Sequence, residues 1–308
     1  MQHKTISKII KAKILAWIST IKNDDLKKEL LKNVLVSGGS IASMFLNEKV
    51  NDFDVYIKDI DVLKNLATYY ANEHGVEVFD GREKQDLLDD VSYTDINDGD
   101  FDEFNCGFKA TRKRVAIESL CKNQIKFFMQ DGAGKAVNLD VSPESMNFTP
   151  LFFSPNAISL SDDLQIVVRF HGDDKEIHST FDFVHATNYW TLESGLVTNK
   201  EALESLLCKQ LKYQGSLYPL TTIIRIKKFL KRGWNISAGE QLKVMFQIAE
   251  FDLTNPEVLE NQLIGVDVAY FSTLIDCLRG VKKEQITSQY FNALIDRVFN
   301  DDDTESDL

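Results

Sequence analysis

The chain has 308 residues, a formal net charge of −12, 44% hydrophobic and 27% charged residues, and only five prolines. A chain of this length can bury a sizeable core and is expected to form two domains, and its overall acidity argues against a general nucleic-acid coat protein. No apolar run approaches the roughly 20 residues that span a bilayer, and the lysine-interrupted start lacks a secretory core, so a cytoplasmic location without a membrane partner is expected.

Ile6, Ile9, Ile10, Ile14, Trp17, Ile18 and Ile21 recur at helical steps and predict an amphipathic first helix. Asp24 or Asp25 is the expected cap of a second helix running to about Lys32. Val34-Leu35-Val36 then reads as a short strand ending at Ser37-Gly38-Gly39-Ser40, followed by a short helix over Ile41 to Leu46. Asp52 to Ile57 alternates polar and apolar residues as a strand does, and Ile60 to His74 returns to helix, stopping at Gly75.

The aspartate-rich stretch from Val76 to about Asn105 opens an insert that reaches to about residue 135. Gln124 to Met129 and Ala136 to Val141 are strand candidates. Asn156 to Leu160 and Leu164 to Phe170 flank Ser161-Asp162-Asp163 as a hairpin. A short helix over Lys175 to Thr180 leads into strand-like Phe181 to Tyr189. Beyond Asn199 the pattern is helical: Glu201–Lys212, Pro219–Arg232, Glu240–Glu250, Asp267–Arg279 and Lys283–Val298. The expected organisation is an α+β (mixed α/β) head over 1–195 with a central mixed sheet, an all-helical C-terminal domain over 196–299, and a disordered acidic tail over 300–308. Cys106, Cys121, Cys208 and Cys277 lie far apart, which argues for reduced thiols rather than structural zinc. His171 and His178 read as surface residues, and His185 as a hydrogen-bonded structural histidine, the alternative being a proton-transfer or substrate-contact role.

One constellation carries chemistry. Residues two apart on a strand share a face, so Asp52, Asp54 and Tyr56 point one way while Phe53, Val55 and Ile57 face the core. Two carboxylates about 7 Å apart on a rigid strand repel each other, and divalent cations invert that cost. Aspartate oxygens suit Mg2+ or Mn2+ rather than zinc. Gly38 and Gly39, lacking Cβ atoms, would let the backbone approach a triphosphate. Ser40 would offer its hydroxyl and amide at a helix start, the alternative being a plain N-cap. Arg225, Lys228 and Arg232 share one face of their helix, with Ile226, Phe229 and Leu230 turned inward, and that basic face can bind phosphates. The stretch Ser205–Arg232 holds seven basic residues and no acid.

Val36 to Ile57, VSGGSIASMFLNEKVNDFDVYI, resembles the signature of the DNA polymerase β superfamily of nucleotidyltransferases, and within it the head of CCA-adding enzymes and bacterial poly(A) polymerases. The first glycine and Asp52 stand fourteen residues apart, as in those enzymes, whereas Ala42 and Ser43 replace their arginine and aspartate. Thr222 to Ile236, TIIRIKKFLKRGWNI, is similar to their neck helix at Arg225, Lys228, Phe229, Arg232, Gly233 and Trp234. The resemblance implies a polymerase β-like head and transfer of a nucleoside monophosphate from an NTP to an acceptor hydroxyl, with release of pyrophosphate. Asp52 and Asp54 would hold the metal, with Gly38, Gly39, Ser40, Arg225, Lys228 and Arg232 binding the nucleotide. It also implies a third catalytic carboxylate, for which Asp182 is the first choice and Asp140 the second. An RNA or tRNA 3′ end is the expected acceptor. A protein hydroxyl, a second-messenger product and a catalytically silent nucleotide-binding module are the alternatives.

Overall fold

The computed structural model describes residues 1–73, 77–80, 114–121, 124–129, 137–138, 147–154 and 156–253, together with a few isolated positions beyond. Two compact units divide the chain. The first comprises Met1–His178 and Ala186–Leu206, and the second comprises Ser179–His185 and Leu207–Leu308. The division therefore departs from a single boundary near 195, because the chain enters the second unit for seven residues and returns to complete the sheet of the first.

In the first unit, helix α1 (His3–Thr20) buries Ile6, Ile10, Ile14, Trp17 and Ile18. Ile9, expected in the same stripe, is 38% exposed, since an i, i+4 ridge is narrower than the full run of isoleucines. Helix α2 (Asp24–Asn33) is capped by Asn23, whose side chain accepts from the amides of Asp25 and Leu26. Asp24 and Asp25, the expected caps, instead occupy the first turn and pair with Lys27 and Lys28. Strand β1 (Val34–Ser37), helix α3 (Gly39–Leu46), strand β2 (Phe53–Ile57) and helix α4 (Ile60–Glu73) follow in the expected order. Within this layer the Trp17 indole N–H donates to the Tyr70 hydroxyl at 2.8 Å, which satisfies both polar groups in the core.

Strands β3 (Glu77–Asp80), β4 (Arg114–Cys121) and β5 (Gln124–Met129) form a separate three-stranded sheet, parallel then antiparallel. The main sheet takes in β6 (Val137–Asn138), β7 (Pro150–Phe153), β8 (Ala157–Leu160), β9 (Leu164–Val167), β10 (Tyr189–Thr191) and β11 (Gly195–Val197). Its eight strands run in the order β11-β10-β1-β2-β9-β8-β7-β6, with β2 and β9 parallel and the other neighbours antiparallel. The β8–β9 turn places Asp162 and Asp163 at positive φ, a conformation aspartate tolerates when its side chain finds local donors. Asp162 does so, accepting from the Phe148 amide and the Ser161 hydroxyl.

One hydrophobic cluster joins α1, α2, α3 and α4 to one face of this sheet through Val34, Val36, Val55, Ile57, Ile166 and Trp190. Each such side chain contributes about 1.5–3 kcal/mol relative to exposure. The opposite face is covered as well: Leu35, Tyr56 and Thr191 are all buried. Asp54, on the same face, is half-buried.

Helix α5 (Asp174–His178) agrees with the expected short helix, but Phe181 to Tyr189 does not continue as a strand. Val184–Ala186 forms a 3-10 turn, and only Tyr189 joins β10. The backbone needs of this stretch are met locally: the Val184 amide donates to the Lys212 carbonyl, and the Gln214 amide to the Asp182 carbonyl. Helix α6 (Lys200–Cys208) closes the first unit and runs into the second.

The second unit contains β12 (Gln210–Leu211), α7 (Pro219–Lys231), β13 (Asn235–Ile236) and α8 (Ala238–Ile248). Expected as all-helical, it also carries the short parallel β12–β13 pair. The expected cap Gly75, most of the acidic insert, Asp140, the helices from Asp267 onward and the tail lie outside the described residues. Among the described residues no helix is long and apolar enough to cross a membrane.

Candidate functional site

Strand β1 ends at Ser37, a fully buried hydroxyl that donates to the Asn188 carbonyl at 2.9 Å and lies 2.9 Å from His178 Nε2. His178, expected at the surface, is thus half-buried. Burial holds its pKa below the ordinary histidine value. His171 is buried too, and its pKa is lowered for the same reason.

Gly38 follows at φ 94° and ψ −149°, a conformation that residues with a side chain essentially do not adopt. Its amide donates to the Ala186 carbonyl at 3.2 Å. A Cβ at this position would stand 3.3 Å from Asp54 Oδ2, so the missing side chain leaves room for that carboxylate at the turn. Helix α3 begins at Gly39. Ser40 is its second residue rather than its cap, and no side chain caps this helix start. The Ser40 hydroxyl is buried, 3% exposed, with no hydrogen-bond partner. A buried orphan hydroxyl beside uncapped helix amides is an anion-accepting arrangement.

Asp54 is half-buried in β2, and Asp52 stands just ahead of the strand on the solvent side. Partial desolvation, and then the negative charge of Asp163 in the β8–β9 turn, push the Asp52 carboxyl above its ordinary pKa. The Phe53 amide donates to the Asp163 carbonyl at 2.8 Å, which fixes the two acidic segments side by side. A hard cation relieves such repulsion, and two aspartate carboxylates fit an oxygen-liganded divalent ion. The parallel neighbour strand adds no third acid: Gln165 stands opposite Asp54, its amide donating to Ser159 Oγ at 3.4 Å. Among the described residues no three histidine, cysteine, aspartate or glutamate side chains gather closely enough to hold a metal ion.

Asp182, the expected third carboxylate, belongs to the second unit. It is 4% exposed; Ser216 Oγ donates to its Oδ1 at 2.7 Å, and Arg225 Nη1 to its Oδ2 at 2.5 Å. Arg225 and Lys228 lie on α7, and Arg232 follows at its C-cap with its guanidinium 5.5 Å from the centre of the Phe229 ring. Ile226 packs inward as expected, whereas Leu230 is 48% exposed.

His185 is held by aromatic rings rather than by hydrogen bonds. Phe229 and Trp234 contact it at centroid distances of 4.7 and 4.6 Å, Phe183 stacks at 5.9 Å, and Nδ1 has no partner. Burial, and then the nearby Arg232 charge, push its pKa down to about 4.

Residues 8–209 match the model of the Gabija anti-defense 2 family. The chain belongs to that family. The matched span includes Gly38, Asp52, Asp54 and Asp182 and ends before Arg225. No curated protein sequence matches this member of the family. Its solved structural neighbours include a CCA-adding enzyme of Thermotoga maritima complexed with tRNA, at 12% identity and a TM-score of 0.37, covering 92% of this chain and 68% of the other. A second is a CCA-adding enzyme of Bacillus stearothermophilus in complex with CTP, at 8% identity, 82% and 50% coverage and a TM-score of 0.34. A tRNA nucleotidyltransferase complexed with a primer tRNA and an incoming ATP analog gives 15%, 87% and 59%, and 0.35. This family member therefore spans 50–68% of the length of those enzymes.

Two outcomes follow from the site of this family member. Gly38→Ala should destabilise the protein by about 1–3 kcal/mol in urea unfolding, from positive-φ strain and crowding of Asp54. Gly39→Ala, whose Cβ meets nothing within 4 Å, should stay within about 0.5 kcal/mol of wild type. Equal losses at both positions would contradict this assignment of the turn.

His185 supplies the second. The unfolded chain protonates it below about 6.5 and the folded protein only below about 4. Between those values the unfolded state binds more protons, so stability rises with pH and falls on acidification. His185→Phe should make the loss of stability from pH 7 to pH 4 smaller than in wild type. An unchanged profile would contradict a buried neutral imidazole.

Proposed function

We propose that this protein is a metal-dependent nucleotidyltransferase, moving a nucleoside monophosphate from an NTP to an acceptor hydroxyl, and that this transfer opposes Gabija defense. The observation carrying the reading is the turn itself: Gly38 at φ 94°, its side-chain space bordered by Asp54 Oδ2, with the unpartnered Ser40 hydroxyl two residues on. Backbone amides at the start of α3 and the Ser40 hydroxyl bind the triphosphate, while Gly38 and Gly39 keep side chains out of its way. Asp52 and Asp54 would hold Mg2+ or Mn2+. When bound, such an ion supplies Lewis acidity to the phosphate oxygens and neutralises the charge of the departing pyrophosphate.

In the second unit, Arg225, Lys228 and Arg232 offer donors to the anionic parts of nucleotide or acceptor. The acceptor hydroxyl gives up its proton to solvent as its oxygen bonds to the α-phosphorus, and the bond from that phosphorus to the bridging oxygen breaks so that pyrophosphate leaves; positioning provides most of the rate. That basic helix favours an RNA or tRNA 3′ end as acceptor, with a protein hydroxyl as the competing outcome. A catalytically silent nucleotide-binding module is the second reading, favoured by the lack of a three-acid group among the described residues.

Incubation with each labelled NTP, Mg2+, and either bulk RNA or extract from Gabija-defended cells separates these readings. Mg2+-dependent label in RNA or protein is expected, and Asp54→Ala should reduce it roughly 100-fold or more, the weight of a few kcal/mol of transition-state stabilisation. Asp54→Ala should also fail to relieve Gabija defense in cells. Full relief by that variant, with no label transferred by wild type, would leave only the silent module.

A further inference from the structure

The buried carboxylate of the second unit has a job different from that of Asp52 and Asp54. Both oxygens of Asp182 are engaged: Ser216 Oγ donates to one and Arg225 Nη1 to the other. Ser216 is itself anchored, since its hydroxyl accepts from the Tyr218 amide at the start of α7 and its own amide donates to Gln247 Oε1. The Asp182 backbone is fixed too, with its carbonyl accepting from Gln214 and the next residue, Phe183, bridged to Tyr213. A carboxylate 4% exposed and already paired with a guanidinium is a poor cation site, because the guanidinium neutralises it and repels a second positive charge.

Arg225 gains what a metal would otherwise have taken. Its side chain keeps 40% of its surface exposed while one nitrogen is tied to a buried, rigid carboxylate. A guanidinium carries five N–H donors in a fixed plane, so tying one edge orients the others. Pairing also removes rotamer freedom that a solvent-exposed arginine would lose on binding an anion.

We infer that Asp182 is a positioning residue, which holds Arg225 so that its remaining N–H groups meet a nucleotide phosphate, and that it is not a metal ligand. This rests on the nucleotidyltransferase reading. It separates the acids of the chain into two roles: Asp52 and Asp54 for cation, Asp182 for the orientation of an anion-binding arginine.

The test measures Mn2+ binding by electron paramagnetic resonance and ATP binding by equilibrium dialysis on the full chain. Asp182→Asn and Arg225→Gln should each weaken ATP binding about tenfold, the usual weight of a charge-assisted hydrogen bond, and the double variant should lose no more than either. Mn2+ binding should stay at the wild-type level in both, and fall in Asp54→Asn. Loss of Mn2+ binding in Asp182→Asn would overturn the inference in favour of a metal ligand. Unchanged ATP affinity in both single variants would reduce the pair to a structural tie and overturn it equally. Wild type binding neither Mn2+ nor ATP would instead remove the nucleotidyltransferase reading, and the inference with it. Should Asp182→Asn fail to fold by circular dichroism, Ser216→Ala and Arg225→Gln carry the test: weaker ATP binding with intact Mn2+ binding supports the inference, and the reverse overturns it.

Discussion

A glycine in a backbone conformation closed to other residues sets the geometry on which the candidate site depends. Between β1 and α3 the chain must turn sharply, and Gly38 does so at φ 94° while leaving its side-chain space to an oxygen of Asp54. The turn, the uncapped helix start and the carboxylate strand are therefore coupled through one missing Cβ. Adjacent strands reinforce that coupling, since β2 is held between β1 and β9 in the middle of the eight-stranded sheet. Rigid elements hold chemical groups more precisely than loops do, which is what a phosphate-transfer site requires.

The electrostatic surroundings of the acids differ in an informative way. Asp52 faces another acid, Asp163, and partial burial and that neighbouring charge push its carboxyl up. Asp182 is deeply buried but fully compensated by a hydroxyl and a guanidinium. A buried ion pair of this kind adds little net stability, yet removing one partner strands the other. Its value lies in specificity of arrangement, here the placement of Arg225 on α7. His185, packed among Phe183, Phe229 and Trp234, contributes as a neutral aromatic body rather than as a proton carrier.

Much of the first unit was legible because its signals are local. Isoleucine spacing marked α1, the Gly38-Gly39 pair marked the turn, and strict alternation marked β2; each falls where expected within a residue or two. The α+β class follows from those elements. Errors arose where tertiary partners overrode local pattern. Apolar Phe181–Phe183 looked like a strand, but its backbone pairs with 212–214 in the second unit and turns into a 3-10 segment. Asn23 took the cap expected of Asp24 because its side chain reached two amides at once. Tyr56 shares the face of Asp54 by alternation yet is buried, since both faces of the sheet are covered, which periodicity cannot reveal. The engagement of Asp182 by Ser216 and Arg225 spans 34 and 43 residues of sequence, and no motif announces it.

The central claim is that the strand end beneath the glycine turn is where a divalent cation resides. Crystals of the protein grown with Mn2+ and a non-hydrolysable ATP analogue would test it directly, by anomalous diffraction at the manganese edge. The account predicts a peak within coordinating distance of the Asp52 and Asp54 carboxylates, with the triphosphate against the start of α3. Manganese found elsewhere, or nucleotide bound with no metal at those two carboxylates, would contradict it.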